Sequence, residues 1–357
     1  MKGWAYIMIV CLFLCAACSQ TKKEASGQSC VYIPCEGDWR VRTLPFDSLV
    51  MSDPFILADK ATHLYYIVSS GGAMWKSKDL EQWTGPYAYL KADTASWIGR
   101  HPWIWAPQLH KYNGKYYCFV TFTNPDVIVD TVPNRYKVQR RSVQILVSNQ
   151  AEGPYKPLAG QGYFPEKWST LDGTLWMEDG IPYMVFGHGW MQTVDGKICS
   201  LQLSPDLSEA ASEVRFLFQA SDAPWSENMA DIGELTFGMM LDGHAADGPF
   251  LFRTGTGRLG MLWSGWGKRR CAQGVAYSAS GKLEGPWVQS ESPLVSDNSG
   301  HAMLFHSFEG KQLMLLHHQN LDEGNPGPRR PLLLEVDTSG DELKILRRYV
   351  PAVNARQ

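Results

Sequence analysis

The sequence predicts an all-β chain folded as a five-bladed β-propeller, and three observations predict it. From residue 37 onward, short β-like runs follow one another, punctuated by Gly, Pro, Asn and Asp, with no long amphipathic helix among them. A small opening motif followed by the same kind of hairpin recurs five times. Equivalent points in those hairpins, Tyr66, Tyr117, Met184, Met261 and Met314, lie 51, 67, 77 and 53 residues apart, which suits four-stranded blades with insertions in the middle ones. A β-sandwich also has short strands, but it does not require one motif repeated before every hairpin.

The opening strands are Asp53-Pro54-Phe55-Ile56, Ala106-Pro107-Gln108-Leu109, Asp172-Gly173-Thr174-Leu175, Asp247-Gly248-Pro249-Phe250 and Gly300-His301-Ala302-Met303. Each precedes an apolar, aromatic strand, beginning near Leu64, Lys115, Pro182, Leu259 and Gln312. Asn113-Gly114, Asp179-Gly180 and Glu309-Gly310 occupy turns between them, where positive φ is needed. Third strands follow at Ala73–Ser77, Val143–Ser148 and Gly274–Ser278.

The start of the chain is an address. Lys2 precedes an apolar run from Trp4 to Leu14, too short to span a bilayer and proportioned as an export signal over residues 1–17. Leu14-Cys15-Ala16-Ala17-Cys18-Ser19 resembles a bacterial lipobox, with Cys18 as the lipidated residue and Cys15 where Leu is usual. Residues 18–36 form a polar tether, leaving 37–357 for the propeller. The expected product is an exported lipoprotein on the outer membrane or cell surface or in the periplasm, touching the membrane only through its anchor. Cys30 and Cys35 are close enough to pair in an oxidising compartment, whereas Cys118, Cys199 and Cys271 sit singly in apolar patterns as small buried hydrophobes.

Composition narrows the partners. Among 357 residues, 33 basic and 36 acidic side chains give a formal charge of -3, which leaves no electrostatic footprint for nucleic acid. A 44% hydrophobic content excludes disorder. Fourteen Trp, fifteen Tyr and fourteen Phe fill sheet cores, and such rings also stack on sugar faces. An oligo- or polysaccharide is the expected partner, and a monomer the expected state.

In a propeller the innermost strands ring a central channel, so residues at their starts converge on one mouth. Three openings carry an acid: Asp53, Asp172 and Asp247. Asp before Pro or Gly is also ordinary turn chemistry. Three acids sharing a pocket, however, push each other's pKa values apart, leaving one ionised as a base and another protonated as an acid. Glycoside hydrolysis requires that division. No His-Glu-x-x-His or comparable cluster supports metal-dependent hydrolysis.

Taken in order, Asp53-Pro54-Phe55-Ile56, Trp105-Ala106-Pro107, Leu171-Asp172-Gly173, Asp247-Gly248-Pro249 and Gly300-His301 resemble the five blade openings of glycoside hydrolase family 43, over about residues 45–340. The resemblance implies a five-bladed propeller and an inverting mechanism with Asp53 as general base and Asp172 orienting and tuning the acid. It implies a substrate carrying α-L-arabinofuranosyl or β-D-xylosyl residues, with β-D-galactofuranosyl behind them, in plant or microbial polysaccharides, and an exo-acting enzyme is the expected form.

Asp247 stands where the family usually has Glu, so its oxygen retreats by about 1–1.5 Å, a misplacement that can cost about 100-fold in rate. Three readings follow: Asp247 is the acid with compensating geometry, another carboxylate such as Glu234 supplies the proton, or hydrolysis is lost and the protein only binds glycan. The resemblance further implies that His301 helps hold a structural calcium ion or water near the axis, with no cofactor needed for chemistry; a satisfied buried histidine is the alternative. Arg330 matches an arginine that reaches sugar hydroxyls, or else makes a surface salt bridge. Trp75 and Trp105 are candidate pocket walls, Gln108 stands where an acid is frequent, and His188 is placed to approach the sugar. The insertion that includes Ser221–Trp225 is expected to help wall the pocket.

Overall fold

The computed structural model describes residues 30–33, 37–133, 137–158, 162–230, 241–320 and 327–351. Five antiparallel sheets follow in chain order, each made of consecutive strands. Blade I comprises Phe55–Asp59, Leu64–Val68, Ala73–Ser77 and Gln82–Ala88, with Arg42–Pro45 added at its outer edge. Blade II comprises Trp103–Tyr112, Lys115–Thr131, Lys137–Ser148 and Lys156–Pro157. Blade III is Thr170–Glu178, Ile181–His188, Lys197–Gln202 and Arg215–Gln219. Blade IV is Asp247–Arg253, Leu259–Gly267, Arg270–Ser278 and Trp287–Gln289, and blade V is Ser299–His306, Gln312–His318, Arg330–Asp337 and Lys344–Arg348. The all-β, five-bladed expectation holds.

The second strands are apolar on both faces because both faces are buried, and a period of two sends alternate residues to different neighbours. Met184 and Phe186 pack with Tyr117 and Phe119 of blade II, while Val185 between them packs with Met261 and Trp263 of blade IV. Leu262 turns instead to Met314 and Leu316 of blade V. Leu313 and Leu315 complete the ring by joining the core shared with blade I. Every blade thus covers its neighbours.

The blade openings share a second regularity. Asp53, Ala106, Asp172, Gly248 and His301 all adopt positive φ, at 55°, 40°, 55°, 57° and 59°. In blades II to V this residue falls within a shift of pairing register: Trp105/Gln108, Leu171/Thr174, Asp247/Phe250 and Gly300/Met303. In those four blades the opening is therefore a bulge, whereas in blade I Asp53 precedes a strand paired in unbroken register. Four of the five residues are not glycine, and a left-handed residue of that kind costs about 1–3 kcal/mol unless its surroundings fix it.

Cys118 and Cys199 are buried as expected, but Cys271 is only part-buried and faces the central cavity. The export signal, Cys18, Cys35 and Glu234 lie outside the described residues. Among the described residues, no helix is long and apolar enough to cross a membrane.

Candidate active site

The five blade openings converge on a cavity of about 920 Å³ whose lining includes Asp53, Asp172 and Asp247. The three acids are not at equivalent positions, as the sequence suggested. Asp53 and Asp172 occupy the left-handed position itself, whereas in blade IV that position is Gly248 and Asp247 precedes it, in register with Trp105, Leu171 and Gly300. This offset places Asp247 on a different rung of the mouth from the other two acids.

Asp53 is enclosed by hydrogen-bonding groups and histidine rings. Ser70 Oγ donates to its Oδ2 at 2.6 Å, and that hydroxyl in turn accepts the Ala106 amide at 2.9 Å. Its backbone N–H donates to His317 Nδ1 at 3.1 Å. The same Nδ1 lies 3.3 Å from Asp53 Oδ1, and His301 Nδ1 lies 3.5 Å from it. Burial alone would raise the Asp53 pKa, but His301, His317 and Arg329 outweigh it and hold the carboxyl well below the usual carboxylate range.

Asp172 and Asp247 are pushed the other way. Burial raises both, and each sits in the field of the other and of ionised Asp53, so this pair keeps a proton that an ordinary carboxyl would lose. Asp172 Oδ2 accepts the Gly248 amide at 3.0 Å, which ties it to the residue after Asp247, and its own N–H donates to Thr121 Oγ1 at 2.9 Å. Asp247 Oδ1 is buried without a protein partner. Gly248 is required here: a Cβ would come within 2.8 Å of the His301 ring, at a φ that side chains rarely adopt.

The remaining sequence candidates divide. Trp105 and His301 line the cavity. Arg330 does not: its Nη1 donates to the backbone oxygens of Asp47 and Leu49 at 3.1 and 3.3 Å, and its neighbour Arg329 faces the cavity. Arg330 opens a regular strand whereas Arg329 precedes it, so the two side chains part. Trp75 is buried in the blade I core under the Arg42 guanidinium. Gln108, two residues past the bulge of blade II, is buried away from the lining with Oε1 unpartnered. His188 stacks on Trp168 at 4.3 Å and contacts Gln192 at 3.2 Å, outside the lining. Trp225 of the insertion stacks on Trp263 at 4.7 Å as core, while Met229 and Ala245 from the same region reach the cavity.

Arg141, Trp103, His317 and Arg329 were not singled out from sequence. Arg141 Nε donates to Thr123 Oγ1 at 2.8 Å, its guanidinium lies 5.4 Å from the Trp105 ring, and its charge counters the raised pair.

Against known families, the chain matches the model of glycosyl hydrolases family 43 over residues 43–343. The chain belongs to glycoside hydrolase family 43. An endo-arabinase structure from Bacteroides thetaiotaomicron is 34% identical, with a TM-score of 0.69, covering 84% of this chain and 97% of that one. An endo-1,4-β-xylanase from the same organism, 20% identical with a TM-score of 0.63, covers 87% and 100%, and shares the fold. So does an α-L-arabinofuranosidase from Lactobacillus brevis, 15% identical with a TM-score of 0.61, covering 82% and 94%. A comparison with curated proteins finds no match.

The calcium implied by the resemblance fits this family 43 chain poorly. Calcium takes six to eight oxygen ligands. The orphaned buried atoms around the blade openings are His301 Nε2, His317 Nε2, Gln108 Oε1 and Asp247 Oδ1, and among the described residues no group of three or more His, Cys, Asp and Glu is placed to hold a metal. No step below is routed through calcium.

Proposed function

We propose that this family 43 glycoside hydrolase cleaves α-L-arabinofuranosyl linkages of an oligo- or polysaccharide with inversion, working from chain ends. The observation that carries the chemistry is the pair of opposite environments in one cavity: Asp53 held ionised, and the Asp172–Asp247 pair raised toward its protonated form. Asp53 takes a proton from a water molecule as that water attacks the anomeric carbon. Asp247 gives its proton to the departing glycosidic oxygen, completing the exchange. Asp172, bonded to the Gly248 amide, acts through Asp247 by fixing its backbone and raising its proton affinity. The place of Asp247 in the cavity lining supports it as the acid despite its shorter side chain.

The arabinose preference is supported by the 34% identity to an endo-arabinase. Chain-end action is supported by the cavity's walls. The long hairpin of blade II reaches Ile128 and Gln139 into it, Met229 and Ala245 close another side, and Gln192 Nε2 pins the hairpin by donating to Asp130 Oδ2 at 2.9 Å. Export through the leader and lipidation of Cys18 would place the enzyme at the cell surface; loss of membrane fractionation in Cys18→Ser tests this.

The enzyme is tested by release of aryl groups from α-L-arabinofuranoside, β-D-xyloside and β-D-galactofuranoside, followed by a natural oligosaccharide. Arabinofuranoside turnover lost in Asp53→Asn is expected. Preference for the xyloside or galactofuranoside would replace the sugar assignment. Oligosaccharide binding with no turnover of any kind would replace the enzyme with a glycan-binding protein.

A further inference from the structure

Five hydrogen bonds lace the blade openings together, and one of them breaks the pattern. In every blade, one residue stands opposite the residue that precedes the left-handed opening. The pairs are Thr121 with Trp105, Gly187 with Leu171, Ser264 with Asp247 and His317 with Gly300, and in blade I the Ser70 amide donates to Ser52 O at 3.1 Å. Four of these residues accept the left-handed amide of the next blade. Ser70 takes that of Ala106 at 2.9 Å, Thr121 that of Asp172 at 2.9 Å, Ser264 that of His301 at 2.6 Å and His317 that of Asp53 at 3.1 Å. The fifth is Gly187, which has no side chain to offer.

Asp172 fills the gap. The Gly248 amide donates at 3.0 Å to Asp172 Oδ2, the carboxyl of blade III's own opening. Asp53 occupies the same position in blade I, yet there Ser70 stands between: its hydroxyl accepts the Ala106 amide and donates to Asp53 Oδ2 at 2.6 Å. One hydroxyl therefore separates the surroundings of the two acids. Asp53 leans on it and leaves the next blade alone, whereas Asp172 is bonded directly to the residue after Asp247. Space does not account for the glycine. Gly187 lies outside the left-handed region, and an added Cβ would meet Leu171 Cγ at 3.3 Å and the Ala246 oxygen at 3.5 Å, which a small movement of Leu171 relieves.

We infer that Gly187 is a positioning residue for the glycosidase: its missing side chain hands the Gly248 amide to Asp172 and so fixes the Asp172 carboxyl beside the acid. This deepens the reading of Asp247 as the acid and rests on it. Burial holds Asp247 toward its protonated form, Asp172 and Asp53 reinforce this, and His301 and Arg141 oppose it. A hydroxyl in place of the Gly187 hydrogen would take the amide and draw the Asp172 carboxyl onto itself, as Ser70 does with Asp53. Asp247 then loses part of the neighbouring charge that keeps its proton, while the Gly248 amide stays bonded.

Gly187→Ser and Gly187→Ala separate this role from one of space, because only serine adds an acceptor. Wild type, both variants and Asp247→Asn are compared on α-1,5-linked arabinotriose and on nitrophenyl α-L-arabinofuranoside, whose leaving group needs no proton, with xylotriose and nitrophenyl β-D-xyloside in parallel. Gly187→Ser should lower kcat on the trisaccharide by about tenfold or more at unchanged KM, with less than about threefold lost on the aryl glycoside. Gly187→Ala should keep the wild-type ratio of the two rates, and both variants should melt within a few degrees of wild type. An unchanged ratio in Gly187→Ser, or a loss shared equally by serine and alanine, in rate or in folding, overturns the inference. So does a serine variant that fails to fold where the alanine variant folds, since the position then cannot take a hydroxyl. Those results leave the acid assignment standing when Asp247→Asn still shifts the ratio. A wild-type ratio in Asp247→Asn overturns that assignment, and this inference with it.

Discussion

Asp53 and Asp247 are the same residue type in one cavity, and only their surroundings give them different work. Two histidines and Arg329 keep Asp53 charged, while burial and neighbouring carboxylates keep a proton on the Asp172–Asp247 pair. Activity needs that proton, so it should persist above the range of an ordinary carboxyl and fall as pH rises through the raised pKa of the pair. Arg141 lowers the pair's proton affinity, so Arg141→Met should move the alkaline limb of kcat to higher pH; a shift to lower pH would contradict the assignment. Asp247→Asn should reduce kcat on a natural oligosaccharide by about 10²–10⁴-fold, and by much less on an aryl glycoside whose leaving group needs no proton, as measured by initial rates. The three acids were legible in sequence because each sits in a short opening motif. Arg141, His317 and Arg329 were not, since their roles depend on which neighbouring blade each strand residue faces.

At the scale of the element, the left-handed blade opening is the device that makes the site. In blade IV a glycine occupies the left-handed position so that the His301 ring can lie against it. Gly248→Ala would force a methyl group within 2.8 Å of that ring, so a loss of about 1–3 kcal/mol in chemical denaturation, with a fall in kcat, is expected. The opening motifs and hairpins were legible because their turn residues and two-sided apolar strands are local signals. The one-residue offset of Asp247 was not, because a bulge is a relation between paired strands, and similar motifs at successive openings conceal it. The paired arginines illustrate the same limit: Arg329 and Arg330 are indistinguishable in sequence, yet strand entry sends one to the cavity and the other to a scaffold.

For the whole molecule, the ring closes, among the described residues, without a strand shared between the first and last blades. Blade V is joined to blade I by packing of Leu313 and Leu315 into the first core, by the Met51 amide donating to Arg329 O at 3.0 Å, and by Arg330 on the Asp47 and Leu49 carbonyls. Removing a charged donor from two backbone acceptors should cost about 1.5–3 kcal/mol, so Arg330→Ala should lower Tm by about 2–6 °C with kcat of the folded protein retained. Arg329→Met should do the reverse, sparing Tm and lowering kcat/KM. Closure also makes the site, since Asp53 from blade I depends on His301 and His317 from blade V. Blade number was readable from the repeat, whereas the closing contacts join residues more than 250 positions apart and leave no local trace.

The central claim is that Asp53 activates water on the face of the sugar opposite the oxygen that Asp247 protonates. Following the anomeric protons by NMR during hydrolysis of α-1,5-linked arabinotriose tests it most directly. β-L-arabinofuranose should appear first and then equilibrate. First appearance of the α anomer would contradict it.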